Sequence, residues 1–247
     1  MTAIADICHF RIYYWAVMSN SSNGNPSSKM INRKGIYQAI DEHGNIVADE
    51  RWQVITLPDG AIQFDNETVR VAPFDEPRSD SATLTLEPDL RLRELTIHGL
   101  FGTRESRVCV SAERTKASLC WRHLGDVKEK VVAWNDGLEL DFLSPLFNMA
   151  TVLRSRLQAG QSRSFDCIYI DAVTFKPTQM KQIYTNLGQE SHHTRFGTEK
   201  LWHYEMDFGG DARYLTQFWC DDDGVLFDFA TAAGYRFVLT AADVNLM

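Results

Sequence analysis

The sequence predicts an all-β protein in which a large curled antiparallel sheet or barrel surrounds an internal apolar cavity and carries one short helix. Three observations predict this fold. Short segments rich in β-branched and aromatic residues recur along the chain, separated by tight turns. Some alternate apolar and polar side chains, as in KLWHYEMDF, where Trp202, Tyr204, Met206 and Phe208 share one face. Aromatic residues make up 11% of the chain, including 6 Trp, so several strands can contribute rings to a pocket.

The turns and the single helix have recognisable signals. DEHGN (41–45), LPDGA (57–61) and DDDG (221–224) contain the Asp-Gly or Gly-Asn pairs that supply a positive φ in tight turns. SPLFNMATVLRSRL, from Ser144 to Leu157, is the best helical candidate. Ser144 is a suitable N-cap, Pro145 suits the first turn, and Gly160 lies just beyond the end. One helix beside many strands predicts a plug or lid on the curled sheet.

The domain organisation is predicted to be simple. The polar stretch SNSSNGNPSSK, Ser19 to Lys29, is expected to be a flexible loop after a short aromatic strand, HFRIYYWAV. No later break in composition is seen, so residues 1–247 are expected to form a single β-barrel-like domain.

Charge and cysteine usage restrict the partners. The formal net charge is −8 and no stripe concentrates the 25 basic residues, which argues against nucleic-acid binding and against electrostatic attachment to anionic membranes. No apolar stretch is long enough to span a bilayer. The five cysteines include no CxxC, and the first residues lack the pattern of a secretory signal, so reduced thiols and a cytoplasmic location are expected. The sequence does not decide whether the protein forms a homodimer.

No motif in the sequence indicates a cofactor or a metal. GxGxxG, P-loop, GxSxG, HExxH and EF-hand patterns are all missing. His192 and His193 are adjacent and would point to opposite faces of a strand, so a shared metal ion is not expected. The run Asp221–Asp223 is interpreted as a turn.

Part of the sequence resembles a known family. The run from Asp136, DGLELDFLSPLFNMATVLRSRLQAGQSRSF, is similar to the glycolipid-binding family of bacterial proteins. In that family an Asp-containing strand leads to a Thr/Ser-Pro-x-x-Asn turn, an Arg-containing stretch and a Leu-x-x-Gly-x-Ser entry into the next strand. The similarity continues through FKPTQMKQIYTNLG and WCDDDGVLFDF, so it covers roughly residues 90–229. The residues that match the motifs are Asp141, Ser144, Pro145, Asn148, Arg154, Leu157, Gly160, Ser162, Pro177, Gln182 and Tyr184.

The resemblance implies a spiralling antiparallel half-barrel with an apolar cavity. Its fold looks similar to that of lipoprotein carriers and to that of a cofactor-free synthase of the violacein pathway. The same scaffold can therefore be a passive binder or a catalyst that holds a reactive molecule.

Several side chains are candidates for ligand binding. Asp141, Ser144 and Asn148 could form a polar cluster at a cavity mouth, but a helix cap with turn hydrogen bonds is the favoured explanation. Arg154 could clamp an acidic head group, or face water or an acidic residue instead. Aromatic rings from separate strands could converge on one cavity, although packing in the core is the alternative for each. The remaining ligand-binding candidates are Trp52, Arg93, Trp121, Tyr184, Trp202, Tyr204 and Trp219.

Two residues are candidates for catalysis. Glu94 is expected to share a face with Leu92 and so to project inward, where an apolar cavity would raise the pKa of its carboxyl and suit it to act as a base. His203 could act as a general acid or base if its strand face pointed inward, but the polar neighbours Glu205 and Asp207 favour a solvated face.

Two functions follow from these observations. The first is binding of an apolar or amphiphilic small molecule (lipid, glycolipid or polyketide-like) in the cavity. The second is a cofactor-independent cyclase, isomerase or lyase of secondary metabolism that acts on a reactive hydrophobic intermediate through shape, desolvation and acid–base residues. The expected partner in either case is a hydrophobic small molecule.

Overall fold

The computed structural model describes residues 31–71, 77–113, 116–123, 126–133, 138–209, 215–231 and 234–243. The predicted aromatic strand and the loop Ser19–Lys29 lie outside this range. The elements are β1 (Asn32–Ile40), β2 (Ile46–Thr56), β3 (Ile62–Arg70), β4 (Arg78–Leu86), β5 (Leu92–Phe101), β6 (Arg104–Ala112), β7 (Lys116–His123), β8 (Asp126–Ala133), β9 (Leu138–Asp141), α1 (Pro145–Ser155), β10 (Ser162–Ile170), β11 (Pro177–Thr194), β12 (Gly197–Phe208), β13 (Thr216–Cys220), β14 (Leu226–Ala230) and β15 (Arg236–Asp243).

In the described part of the chain, fifteen strands form one curled sheet that is not closed. Their order is β8-β7-β6-β5-β4-β3-β2-β1-β15-β14-β13-β12-β11-β10-β9. Neighbours are antiparallel except β9 and β10, which run parallel because α1 connects them. The predicted all-β fold with one short helix is confirmed.

The helix fills the inside of the curl. Its residues from Pro145 to Val152 are all buried, and it contacts β3, β9 and β14. We call the face of the sheet toward the helix the inner face. A helix at such a buried position is expected to be largely apolar, and its two buried polar residues, Asn148 and Thr151, are bonded to Tyr184 and Glu139. The helix acts as the predicted plug.

The ends of the helix are set by local signals. Ser144 lies in extended backbone, and its hydroxyl accepts a hydrogen bond from the Leu146 amide at 3.2 Å. This is the predicted N-cap. At the other end the left-handed residue is Arg156 (φ 45°) rather than a glycine, and its amide donates to the Val152 carbonyl.

Four charged side chains lie inside the sheet near the N-terminus of α1. They are all at most 3% exposed, and we call them the buried ion cluster: Glu50, Arg70, Arg78 and Asp80. Asp80 accepts from both arginines, at 2.9 Å from Arg70 Nε and 2.7 Å from Arg78 Nη2. The two positive charges of the arginines balance the two negative charges of the acids. Charged side chains are normally buried only when they are paired in this way.

The buried ion cluster connects distant parts of the chain. Arg70 donates to the Leu143 carbonyl just before α1, and Arg78 donates to the Ala172 carbonyl after β10. Glu50 accepts from the N-cap hydroxyl of Ser144 at 2.6 Å. Burial raises the pKa of Glu50, and the nearby Arg70 opposes that rise. The cluster thus fixes the helix and the β10–β11 loop against the first strands.

Gly35 is required by packing. A Cβ atom at this position would lie 2.6 Å from the Ala241 carbonyl oxygen and 2.7 Å from the ring of Trp52. We expect Gly35→Ala to lower the free energy of unfolding by about 1–3 kcal/mol, because backbone cannot move aside as a flexible side chain can. Denaturant unfolding measures the loss of stability. An unchanged midpoint would show that β1 can move away from β15 and β2 to make room for the added Cβ atom without a cost in stability.

Candidate functional site

A cavity of about 650 Å³ opens at the end of the curled sheet where α1 ends. We call it the end cavity. The helix C-terminus, the β2–β3 and β4–β5 turns and the β13–β14 turn surround it. Its lining residues are Ile31, Thr56, Gly60, Ile62, Pro88, Leu90, Val152, Leu153, Arg156, Leu157, Gln158, Asn186, Trp202, Tyr204, Cys220, Asp221, Asp222, Asp223 and Gly224.

The polar groups deep in the end cavity are neutral. Asn186 donates to the Leu157 carbonyl at 2.7 Å and to the Tyr204 hydroxyl at 3.2 Å. Burial raises the pKa of Tyr204 to about 12 and raises that of the Cys220 thiol as well. Both groups therefore stay protonated at neutral pH, so this wall offers hydrogen bonds without charge.

The acidic turn 221–224 forms one side of the rim. Asp221 accepts from Arg33 at 2.9 Å and from the amides of Asp223 and Val225. Burial raises the pKa of Asp221, and the positive charge of Arg33 opposes that rise. This confirms the interpretation of the Asp run as a turn, because its first carboxylate holds the turn together.

An aromatic ring and a carboxylate meet at the same rim. Trp202 Nε1 donates to Asp222 at 2.8 Å, which fixes the indole at the cavity mouth. Trp202 and Tyr204 lie on the inner face of β12, as the alternation predicted. They are the two predicted ligand-binding residues that the structure brings together in this cavity.

Three other predicted residues form a separate, closed polar cluster. Asn148 donates to the Tyr184 hydroxyl at 2.8 Å, and Gln182 donates to Asp141 at 2.6 Å. All four residues are buried and none lines the end cavity. Burial raises the pKa of Asp141 to about 7. The hydrogen bonds join α1 and β9 to β11, so Asp141 and Asn148 have a structural role in the core, but neither caps the helix, which Ser144 does.

Arg154 pairs with an acid rather than facing the end cavity. Its guanidinium contacts Glu139 at 2.6 Å and donates to the carbonyls of Leu90 and Leu138. It lines a small separate cavity of about 90 Å³. Burial raises the pKa of Glu139, and Arg154 opposes that rise. Of the two interpretations of Arg154, the structure supports the ion pair.

The three other described tryptophans, Trp52, Trp121 and Trp219, do not line the end cavity. Trp52 is buried and stacks on Tyr37 with centroids 5.6 Å apart. Trp121 is half-buried on β7 and packs against the core. Trp219 lies on the outer face, between the rings of His192 and His203 at 4.1 and 4.5 Å. The aromatic rings in the end cavity, Trp202 and Tyr204, both come from β12, so rings from several strands do not converge there.

The expectation that Glu94 projects inward is wrong. The register of β4 and β5 shifts between Thr85 and Leu86, so Leu86 pairs with Leu92 while Thr85 pairs with Glu94. This irregularity inserts one residue and lets both Leu92 and Leu95 face inward, which leaves Glu94 exposed. Neighbouring Arg93 is held on the surface by Asp59 and Glu87.

His203 lies on the outer face, so it cannot serve the end cavity. Its ring stacks on Trp219, and its Nδ1 is 3.3 Å from Glu190. His192 binds Asp228 at 2.8 Å, while His193 is exposed. Within the described ranges, no group of three or more His, Cys, Asp and Glu residues could hold a metal ion.

Sequence reasoning missed most of the end-cavity residues. Thr56, Pro88 and Leu90 come from hairpin ends, and Arg156, Leu157 and Gln158 follow the helix. The available signal was the turn pattern itself, because hairpin ends on one side of a curled sheet lie close together. Leu157 is the one lining residue among these that also matches the family motif.

A second depression lies on the outer face. Its volume is about 760 Å³, and residues of β15, β1, β2, β3 and β4 line it. Outward polar side chains such as Arg51, Gln53, Asp65 and Glu67 form much of its lining. Among these, Gln53 donates to Asp65 at 3.0 Å. The end cavity is the better candidate for an apolar ligand because its walls come from the inner face.

The chain was compared with protein-family models, with curated proteins and with solved structures. A family model described as "Putative glycolipid-binding" matches residues 55–232, well over half of the chain. No curated protein is significantly similar in sequence. No helix in the described part of the chain is long and apolar enough to cross a membrane.

Two crystal structures share the architecture. A DUF1089 family protein from Pseudomonas aeruginosa is 20% identical with a TM-score of 0.53, covering 89% of this chain and 96% of its own. A β-barrel-like protein of the domain of unknown function DUF1849 from Brucella abortus is 12% identical with a TM-score of 0.59, covering 88% and 99%. At these identities the likeness concerns the fold alone.

Proposed function

The chain belongs to the glycolipid-binding family, and we propose that it binds an amphiphilic small molecule in the end cavity. The observation that carries this proposal is the pairing of an inner-face cavity with an aromatic and acidic rim. Apolar walls suit an acyl or other hydrocarbon chain. The Trp202 ring and the Asp222 carboxylate suit a hydroxylated head group, because the ring packs on apolar sugar faces and the carboxylate accepts hydroxyl hydrogen bonds.

The charge arrangement supports an uncharged or hydroxylated head group. Three carboxylates lie at the rim, and Arg33 bonds to two of them, Asp221 and Asp223. Arg156 is the one basic residue among the lining residues, so with Arg33 the cavity has two cations against three carboxylates and the excess charge that an anionic head group meets is negative. Fatty acids are therefore expected to bind less tightly than neutral glycosides with the same chain length.

Filling the end cavity should abolish binding. Leu157→Trp places a larger side chain among the lining residues, so we expect at least a tenfold loss of affinity for a fluorescent alkyl glycoside. Leu100→Trp is the matched control, since Leu100 is 40% exposed on the outer strand surface. Equal affinity of both variants and the wild type would place the ligand elsewhere.

Catalysis is the second candidate function, and Asp221 is the residue that would carry it. Its carboxyl lines the end cavity, and burial raises its pKa. Its oxygens, however, are engaged by Arg33 and by the turn amides, which favours a structural role over a general base. Recovery of a bound molecule in unaltered form after prolonged incubation would support binding, and a rearranged product would support catalysis.

A further inference from the structure

Two cysteines face each other across neighbouring strands near one edge of the sheet. Cys109 on β6 pairs directly with Cys120 on β7. Directly opposite residues of antiparallel strands point to the same face. Here it is the outer face, because the neighbouring Val108, Val110 and Leu119 are buried in the core. Both cysteines are half-buried, so the pair is partly open to solution. We call Cys109 and Cys120 the cross-strand dithiol.

The register places the two cysteines at a separation that a disulfide can span. A hydrogen bond from the Glu113 amide to the Lys116 carbonyl closes the hairpin, and the pairing of β6 with β7 shows no register shift. Because hydrogen-bonded and non-hydrogen-bonded pairs alternate along such a ladder, Cys109 and Cys120 form a hydrogen-bonded pair, whose Cα atoms lie about 5.5 Å apart. Disulfides span Cα separations of about 4.4–6.8 Å.

The two other described cysteines are core residues. Cys167 and Cys220 are fully buried on β10 and β13, which are not neighbours in the sheet. Burial raises the pKa of both thiols, so neither readily forms the reactive thiolate. Among the described cysteines, only the cross-strand dithiol therefore combines a neighbouring thiol with access to an oxidant.

We propose that the cross-strand dithiol is a redox-sensitive site, which a low-molecular-weight disulfide such as glutathione disulfide oxidises reversibly. One cysteine thiolate attacks a sulfur of the oxidant, forms a mixed disulfide and releases one glutathione thiolate. The second cysteine thiolate attacks the cysteine sulfur of the mixed disulfide and releases the other. Two protein S–H bonds are lost and one protein S–S bond forms. The oxidant is reduced to two thiols, which take up the two protons.

The oxidised site would join the strands beside the open edge of the sheet. β7 has β8 as its other neighbour, and β8 is the last strand on that side. A bond between Cys109 and Cys120 closes the hairpin covalently and restricts the freedom of its unfolded state. Oxidation therefore stabilises this edge, and reduction releases it.

The spacing of the pair favours a disulfide that is easily reduced again. Cβ atoms of a hydrogen-bonded pair lie at the wide end of the cross-strand range, about 5.5 Å, whereas those of a relaxed disulfide lie about 3.8 Å apart. Bond formation must draw the two strands together, and the pair is partly exposed. Strained or exposed disulfides are the labile ones, so glutathione should control this site.

Glutathione buffers with a graded oxidised fraction test the proposal on the folded protein. As the oxidised fraction rises, the wild type should lose two alkylatable thiols and two hydrogen atoms in mass. Excess reduced glutathione should restore both. Protease cleavage at Lys116, which lies between the two cysteines, should give two peptides that stay joined until they are reduced.

Single serine variants separate a disulfide from ordinary thiol modification. Cys109→Ser and Cys120→Ser each keep one thiol of the pair and should stop at the mixed disulfide, with a gain in mass of one glutathionyl group. Cys8→Ser removes a cysteine outside the described residues and should oxidise as the wild type does. Reduced Cys109 and Cys120 at the highest oxidised fraction, or a bond from either to another cysteine, would overturn the proposal. No residue of β6 or β7 lines the end cavity, so the oxidation is tested independently of ligand binding.

Discussion

Asp141→Asn is expected to stabilise the protein at pH 8 and to leave its stability at pH 4 almost unchanged. Asp141 is fully buried, its carboxyl has a pKa of about 7 against an ordinary 3.8, and burial is the cause. Between these values the unfolded chain ionises Asp141 while the folded chain does not. The free energy of unfolding therefore falls with rising pH, by about 4 kcal/mol over the interval.

The asparagine removes this titration and keeps the shape of the side chain. Its amide can also donate to Gln182 Oε1, which is buried without a hydrogen-bond partner in the described structure. Urea unfolding from pH 4 to pH 8 measures the difference between variant and wild type. Asp166→Asn, at an exposed position on the neighbouring strand β10, is the control and should give no such difference. Parallel pH curves for Asp141→Asn and the wild type would show that Asp141 is ionised in the folded state.

Asp80→Ala is expected to destabilise the protein by about 3–5 kcal/mol. Asp80 accepts hydrogen bonds from both buried arginines, so its removal takes away the carboxylate that they share, while Glu50 stays 3.9 Å from Arg70. The loss should appear as a lower denaturant midpoint with little change in slope.

Asp65→Ala gives the matched comparison on the adjacent strand. Asp65 points outward and accepts from Gln53, Gln63 and Thr83 at a partly solvated site. Water can replace these partners, so a cost near 1 kcal/mol is expected. If Asp80→Ala cost no more than Asp65→Ala, the buried ion cluster would not hold the two halves of the sheet together.

The fold was predictable because its signals are local. Tight turns near residues 41–45, 57–61 and 221–224 each depend on a few adjacent residues, and the helix boundary depends on Ser144 and Pro145. Alternation in β12 correctly placed Trp202 and Tyr204 on the inner face. The order of the strands follows largely from chain order, since most hairpin neighbours are consecutive.

The site was less predictable because it depends on register and on distant partners. One inserted residue in β5 moved Glu94 from the inner to the outer face, and alternation alone cannot reveal such an irregularity. Arg154 pairs with Glu139, fifteen residues earlier in the chain. Arg78 donates to the carbonyl of Ala172, 94 residues later. Whether a charged side chain is buried can therefore be predicted only when the position of its ion-pair or hydrogen-bond partner is known.

The most direct test of the proposed function is native mass spectrometry of the wild type beside Leu157→Trp and Leu100→Trp. The account predicts that the wild type and Leu100→Trp bind an added alkyl glycoside in one-to-one stoichiometry and release it unaltered, while Leu157→Trp stays empty. Retention of the glycoside by Leu157→Trp, or no binding by the wild type, would contradict binding in the end cavity.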